Sequence, residues 1–124
     1  MIGERFPRSS RICKSQDFER VFKQGRRARS SHMHVVAAPN DLDIARLGLA
    51  VSRRVGNAVV RNRVKRRIRE IFRRNRAALP VADLVVIPFA SFAQLDFAAM
   101  RTELLRLAER AAASVAKTSK PRES

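Results

Sequence analysis

At 124 residues the chain has room for one ordinary domain, and a hydrophobic content of 45% suffices for a packed core. Lys and Arg number 27 against 11 Asp and Glu, a formal charge of +16, which predicts a polyanionic partner, nucleic acid before an anionic membrane surface. A single cysteine excludes an internal disulfide and a cysteine metal cluster; no apolar run approaches the roughly 20 residues of a membrane span, and "MIGERFPRSSRICKSQ" carries charges where a signal peptide needs an apolar stretch, so a cytoplasmic protein is expected.

Residues 1–14 read as an irregular basic arm broken by Pro7, Ser9 and Ser10. "SQDFERVFKQG" predicts a short helix, with Ser15 as its cap, Asp17 in the first turn and Gly25 as its stop. Phe18, Val21 and Phe22 share one face of it. "SSHMHVVAAP" reads as a strand ending at Pro39, and "NDLD" as a polar turn. "ARLGLAVS" then alternates, with Leu47, Leu49 and Val51 on one side, and the two strands are expected to form a hairpin. Asn57 in "VGN" is placed to cap a helix from about Ala58 to Arg76.

In that helix Val60, Val64, Ile68, Ile71 and Phe72 recur at helical spacing and predict a stripe lying on the sheet. "ADLVVIPF", after Pro80, is a continuous apolar run of the kind found in strands covered on both faces. A last helix is expected over Asp96–Ala112 with Phe97, Met100, Leu104, Leu107 and Ala111 inward, then a flexible tail over 113–124. The order helix, strand, strand, helix, strand, helix makes a single α+β domain over residues 15–112 with one mixed sheet. The span from Leu47 to Pro88 is long enough for a parallel crossover.

"AVVRNRVKRRIREIFRR", residues 58–74, holds eight basic side chains and one acid. With the apolar stripe inward, Asn62, Arg66, Arg69 and Arg73 fall on the opposite face. Arg63, Arg67 and Arg74 flank one side, Arg61 and Lys65 the other. A solvated helix face ordinarily mixes signs, because each opposite-charge pair adds a few tenths of a kcal/mol. Here Glu70 alone offers relief, at i,i+4 from Arg66 or to Arg74, and the remaining repulsion calls for phosphates. Guanidinium groups suit that task, holding a phosphate by two hydrogen bonds or stacking on an unpaired base. The Asn62 amide both donates and accepts, as a base edge or ribose hydroxyl requires. Arg53 and Arg54, just before the free amides of the helix start, extend the anion-binding surface.

"RNRVKRRIRE" (residues 61–70), with "RICKSQDFERVFKQG" upstream and "LGLAVSRRVGNAVV" leading into the helix, resembles the protein subunit of bacterial ribonuclease P. The resemblance covers roughly residues 8–112. It implies a two-layer α-β sandwich of three helices on a small mixed sheet, in the order α-β-β-(β)-α-β-α, whose strand–helix–strand crossover is left-handed against the usual rule. It implies assistance in removing the 5′ leader of precursor tRNA, with an RNA subunit doing the chemistry through magnesium and the protein holding no cofactor. Arg53, Arg54, Arg61, Asn62, Arg63, Lys65, Arg66, Arg69 and Arg73 would contact that RNA. Phe18 and Phe22 of the first helix and a sheet floor of His32, His34 and Val36 would form the leader cleft, with Arg11 and Lys14 beside it. The strand "SSHMHVVAA" lacks the aromatic that some relatives carry there.

Phe18 and Phe22 at helical spacing are core residues more often than stacking platforms; the resemblance brings the two readings nearer to even, with one ring packed and the edge of the other lining the cleft. His32 and His34, placed by alternation on one strand face, would need further ligands to hold zinc, so an RNA or solvent contact is the better reading. Cys13 reads as a small, partly buried side chain. With no Walker loop, no Ser–His–Asp set and no carboxylate cluster, a protein-based nuclease site is not expected. The alternative function is a ribosomal-type structural RNA-binding protein with no role in cleavage. Membrane-surface binding is disfavoured because the amphipathic helix needs its apolar face as core, and DNA binding because no helix–turn–helix surrounds it.

Overall fold

A computed structural model describes residues 11–42 and 44–119; most of the expected arm and the last five residues of the expected tail lie outside them. In chain order the elements are α1 (Ser15–Gln24), β1 (Arg26–Arg29), β2 (Met33–Ala38), β3 (Arg46–Leu49), α2 (Ala58–Arg74), β4 (Asp83–Pro88) and α3 (Phe97–Ser119). The four strands form one mixed sheet in the order β1-β2-β4-β3. β4 runs antiparallel to β2 and parallel to β3, so α2 is the crossover of a parallel unit, as the chain length allowed.

The expected hairpin does not form: β4 lies between the two strands assigned to it. The cause is legible in β4 itself. Leu84 and Val86 point into one core and Val85 into the other, and only a central strand has both faces covered. On its other side β2 pairs antiparallel with β1, "RRAR", which the sequence does not mark as a strand. Ala28 alone turns inward while the three arginines stay on the exposed edge, so no apolar alternation marks this strand.

α2 and α3 pack on one face of the sheet around Val35, Leu84, Val86, Ile68 and Leu107. α2 forms as its stripe predicts, with Val64, Ile68, Ile71 and Phe72 buried. Asn57 caps it, its Oδ1 accepting from the Val60 amide at 3.0 Å. The helix stops at Arg74 rather than Arg76, because Asn75 folds back and donates its side-chain amide to the Ile71 carbonyl at 2.7 Å. α3 begins one residue later than expected, after Asp96 accepts from the Ala99 amide at 2.8 Å, and it continues to Ser119. The domain edge expected at residue 112 therefore falls inside a helix, and Val115 still packs on the core.

α1 covers part of the other sheet face, burying Val21 with Val36, Val85 and Ile12. Ser15 is its first helical residue, not its cap; Lys14 holds the cap position without a side-chain bond. Gly25 ends α1 for reasons of space. A Cβ there would stand 2.4 Å from the Val21 carbonyl and 2.7 Å from Val36 Cγ1. The segment expected as an irregular basic arm is bonded to the sheet near its end, where the Ile12 amide donates to the Leu47 carbonyl of β3 at 2.8 Å.

One buried carboxylate pins α1 in place. Asp83, at the start of β4, is fully buried. It accepts from Arg46 Nε at 2.8 Å and from the same guanidinium's terminal nitrogen at 2.6 Å. Asn40 donates to it at 3.0 Å, and Arg20 of α1 binds it as well while also donating to the Pro39 carbonyl. Burial alone would raise the Asp83 pKa, but the bonds from Arg46, Asn40 and Arg20 outweigh it and hold the carboxyl below its ordinary value.

Candidate nucleic-acid interface

The outer face of α2 carries the expected charges in two states. Glu70 bonds to Arg73 at 2.6 Å and to Arg74 at 2.5 Å, and these pairs lower its pKa. Arg66 takes no part in that group. Arg61 donates to the Gly56 carbonyl at 3.2 Å and Arg63 to the Ala93 carbonyl at 3.4 Å, so backbone oxygens aim both side chains. Lys65, Arg66, Arg67 and Arg69 make no ion pair among the described residues, and Asn62 is exposed beside them. Arg53 and Arg54 are exposed on a 3-10 turn just before the helix. The surface is short of counter-charge among the described residues.

Arg69 turns toward the other layer. With Arg11, Ile12, Cys13, Phe18, Leu47 and Leu49 it lines a cavity of about 170 Å³ at the β3 edge. Burial and the positive charge of Arg11 lower its pKa. This cavity joins the α2 face to the groove beside α1.

That groove follows from register. Arg27, Val36, Val85 and Gly48 stand in one row across the sheet, and α1 lies over it. The next row is Arg29, His34 and Ile87, with Ala50 following on β3, and these side chains are partly open. Phe18 and Phe22 project from α1 along the groove, their ring centroids 6.4 Å apart. Phe18 packs down: a Cβ on Gly48 would stand 2.9 Å from its ring. Phe22 remains 36% exposed, with the Arg27 guanidinium 5.8 Å from its centroid. One ring is core and the other is available.

Of the residues expected in the cleft, Arg11 and Phe18 share the cavity at the β3 edge, Phe22 stands beside Phe18 on α1, His34 lies apart in the row of Arg29 and Ile87, and Lys14 is exposed just before α1. Val36 does not contribute, because it is wholly buried beneath α1. Nor does His32. It precedes β2, its Nδ1 lies 2.9 Å from Ser91 Oγ, and it faces Glu103 of the opposite layer, so the two histidines do not share a face. Cys13 is exposed rather than partly buried. The residues missed are Arg27, Arg29 and Phe89. Two arginines at i and i+2 carried the signal, but only the strand pairing shows that they face the groove.

Residues 6–112 match the family model described as Ribonuclease P. The chain belongs to the family of ribonuclease P protein components. It is 40% identical over 114 residues to the Thermotoga maritima ribonuclease P protein component, covering 88% of this chain and 97% of that one. The Desulfovibrio desulfuricans component is 45% identical over 111 residues, 86% of this chain and 85% of its own. The solved Staphylococcus aureus RNase P protein has the same architecture, with a TM-score of 0.75 at 32% identity over 82% of this chain and 94% of that one. The protein is thus the non-catalytic protein subunit of the endoribonuclease ribonuclease P, and the ribosomal-type alternative is set aside. No helix among the described residues is long and apolar enough to cross a membrane.

Proposed function

We propose that this ribonuclease P protein binds its RNA subunit through the outer face of α2 and receives the 5′ leader of precursor tRNA in the groove between α1 and the sheet. Arg53, Arg54, Arg61, Asn62, Arg63, Lys65, Arg66 and Arg69 make the first contact, and Arg73 joins them where a phosphate competes with Glu70. Phe22, Arg27 and His34 line the second, with Arg11 and Arg69 at the junction. The observation that carries this reading is the pairing of a helix face short of counter-ions with a groove that offers an open aromatic ring beside guanidinium groups. Phosphates satisfy the former, and unpaired nucleotides the latter.

In this reading the RNA subunit performs the cleavage with magnesium, in the cytoplasm. The protein's part is positional. Helix-borne guanidiniums fix it on folded RNA, and the groove holds the leader extended so that the scissile bond lies at the RNA's metal site. The buried Asp83 has both oxygens committed to Arg46, Arg20 and Asn40 and serves architecture. Reconstitution of the RNA subunit with a precursor tRNA at low magnesium tests the proposal. Added protein is expected to restore leader removal, and no stimulation would overturn the reading.

A further inference from the structure

Beyond Phe22 the groove continues to a second aromatic position. Phe89 follows β4, and its amide donates to the His32 carbonyl at 2.9 Å, which brings the ring beside β2 and β1. His34 meets it edge-on, centroids 5.3 Å apart, and the Arg29 guanidinium lies 5.6 Å from its centroid. Phe89 is partly open and Arg29 exposed. Neither Arg27 nor Arg29 has a carboxylate partner among the described residues. Each of these two arginines of β1 therefore rests against a phenylalanine, Phe22 in one case and Phe89 in the other, with its charge left over.

We infer that Phe89, Arg29 and His34 form a second nucleotide subsite, at the β1 end of the groove, that stacks one unpaired leader base and takes its phosphate on Arg29 or Arg27. The inference rests on the leader lying in the groove and adds where its far part goes. An unpaired base extends a guanidinium–ring stack because every base has a π-face. Burial, and after it the charges of Arg29 and Arg27, lower the His34 pKa and so disfavour its cationic form, and its buried Nε2 has no hydrogen-bond partner among the described residues. The imidazole packs its edge against the ring at the place where both guanidiniums approach.

Position in the fold gives the subsite a length requirement. The RNA-facing helix and the Arg11–Arg69 cavity lie at the β3 edge, and β1 is the opposite edge of the four-stranded sheet. Two inter-strand spacings separate the β3 edge from His34 on β2 and three separate it from Arg29 on β1, about 10 to 14 Å. A short leader ends before Phe89, whereas a longer one reaches it.

The test measures holoenzyme affinity for precursor tRNAs carrying a series of leader lengths, with Phe89→Leu, Arg29→Gln and Phe22→Ala proteins. Phe89→Leu keeps the apolar bulk and removes the π-face, and thermal melts of each variant confirm folding. The expected result for Phe89→Leu and Arg29→Gln is unchanged affinity for short leaders and a loss of roughly 5-fold or more once the leader passes a threshold length. Replacing the leader nucleotide at that threshold with an abasic one should abolish the difference between Phe89→Leu and the unmodified protein. If Phe22→Ala weakens leader-dependent binding while Phe89→Leu and Arg29→Gln do not at any length, the second subsite is wrong and the groove stands. If none of the three changes leader dependence, the groove itself is not the leader site.

Discussion

Arginine does opposite work in two places in this molecule. At the start of β4, Arg20 and Arg46 converge on the buried Asp83, and their charges are consumed inside the protein. On α2, Arg66 and Arg67 have no acid to meet among the described residues, and their charges stand on a helix whose other face is core. The residue type is the same, so what separates structure from function is the presence of a carboxylate at bonding distance. Between the extremes stand Arg73 and Arg74, paired with Glu70 on the surface, where such pairs contribute little and exchange readily for a phosphate.

The contrast breaks most visibly at its buried end. Asp83→Asn leaves two guanidiniums facing each other over a site that no longer neutralises them, and a stability loss of about 3 kcal/mol is expected in denaturant titration. The pH dependence has a definite sign. The Asp83 pKa is lowered in the folded state, so its contribution is present above the ordinary carboxylate range and disappears as pH falls through the folded value. The gap in Tm between the natural protein and Asp83→Asn should hold steady near neutrality and narrow as pH drops below about 4. A gap that is constant into strong acid would show that the ion-pair group is not what holds α1.

A smaller effect sharpens the same distinction within α1. Phe18→Ala removes a ring packed on Gly48 and should cost about 2 kcal/mol of stability, whereas Phe22→Ala removes a partly solvated ring and should cost under about 1 kcal/mol. Leader affinity should fall for both, but for Phe22→Ala the loss should appear in a fully folded protein. Chemical denaturation beside precursor-binding titrations separates the two, and equal stability losses would contradict the division of roles.

Strong periodicity made the two long helices and the central strand readable. The α2 stripe, its Asn57 cap and the inward positions of α3 are where spacing puts them, because an amphipathic helix writes its packing into every turn. The sheet order was not readable. Adjacent strands in sequence suggested a hairpin, and only the need of β4 for cover on both faces overrides that preference. β1 was invisible because one alanine among three arginines carries no pattern, and with it went Arg27 and Arg29. The histidines show the limit of alternation: His34 lies within β2 and obeys it, while His32 lies just outside and turns the other way. In the sequence Asp83 is one acid at the head of the apolar run "LVVIPF". Nothing local announces that Arg20, Arg46 and Asn40 converge on it from separate elements.

The most direct test of unpaired against paired arginine is the salt dependence of binding to the RNA subunit. If α2 engages about five phosphates, log affinity should fall against log salt with a slope of about −3.5 to −4.5. Replacing Lys65, Arg66 and Arg69 together with glutamine should weaken binding and flatten that slope by about 2 to 3, roughly 0.7 to 0.9 for each phosphate that the helix no longer neutralises. A triple variant that folds normally and binds the RNA with the original affinity and the original slope would contradict the assignment of α2 as the RNA-gripping face.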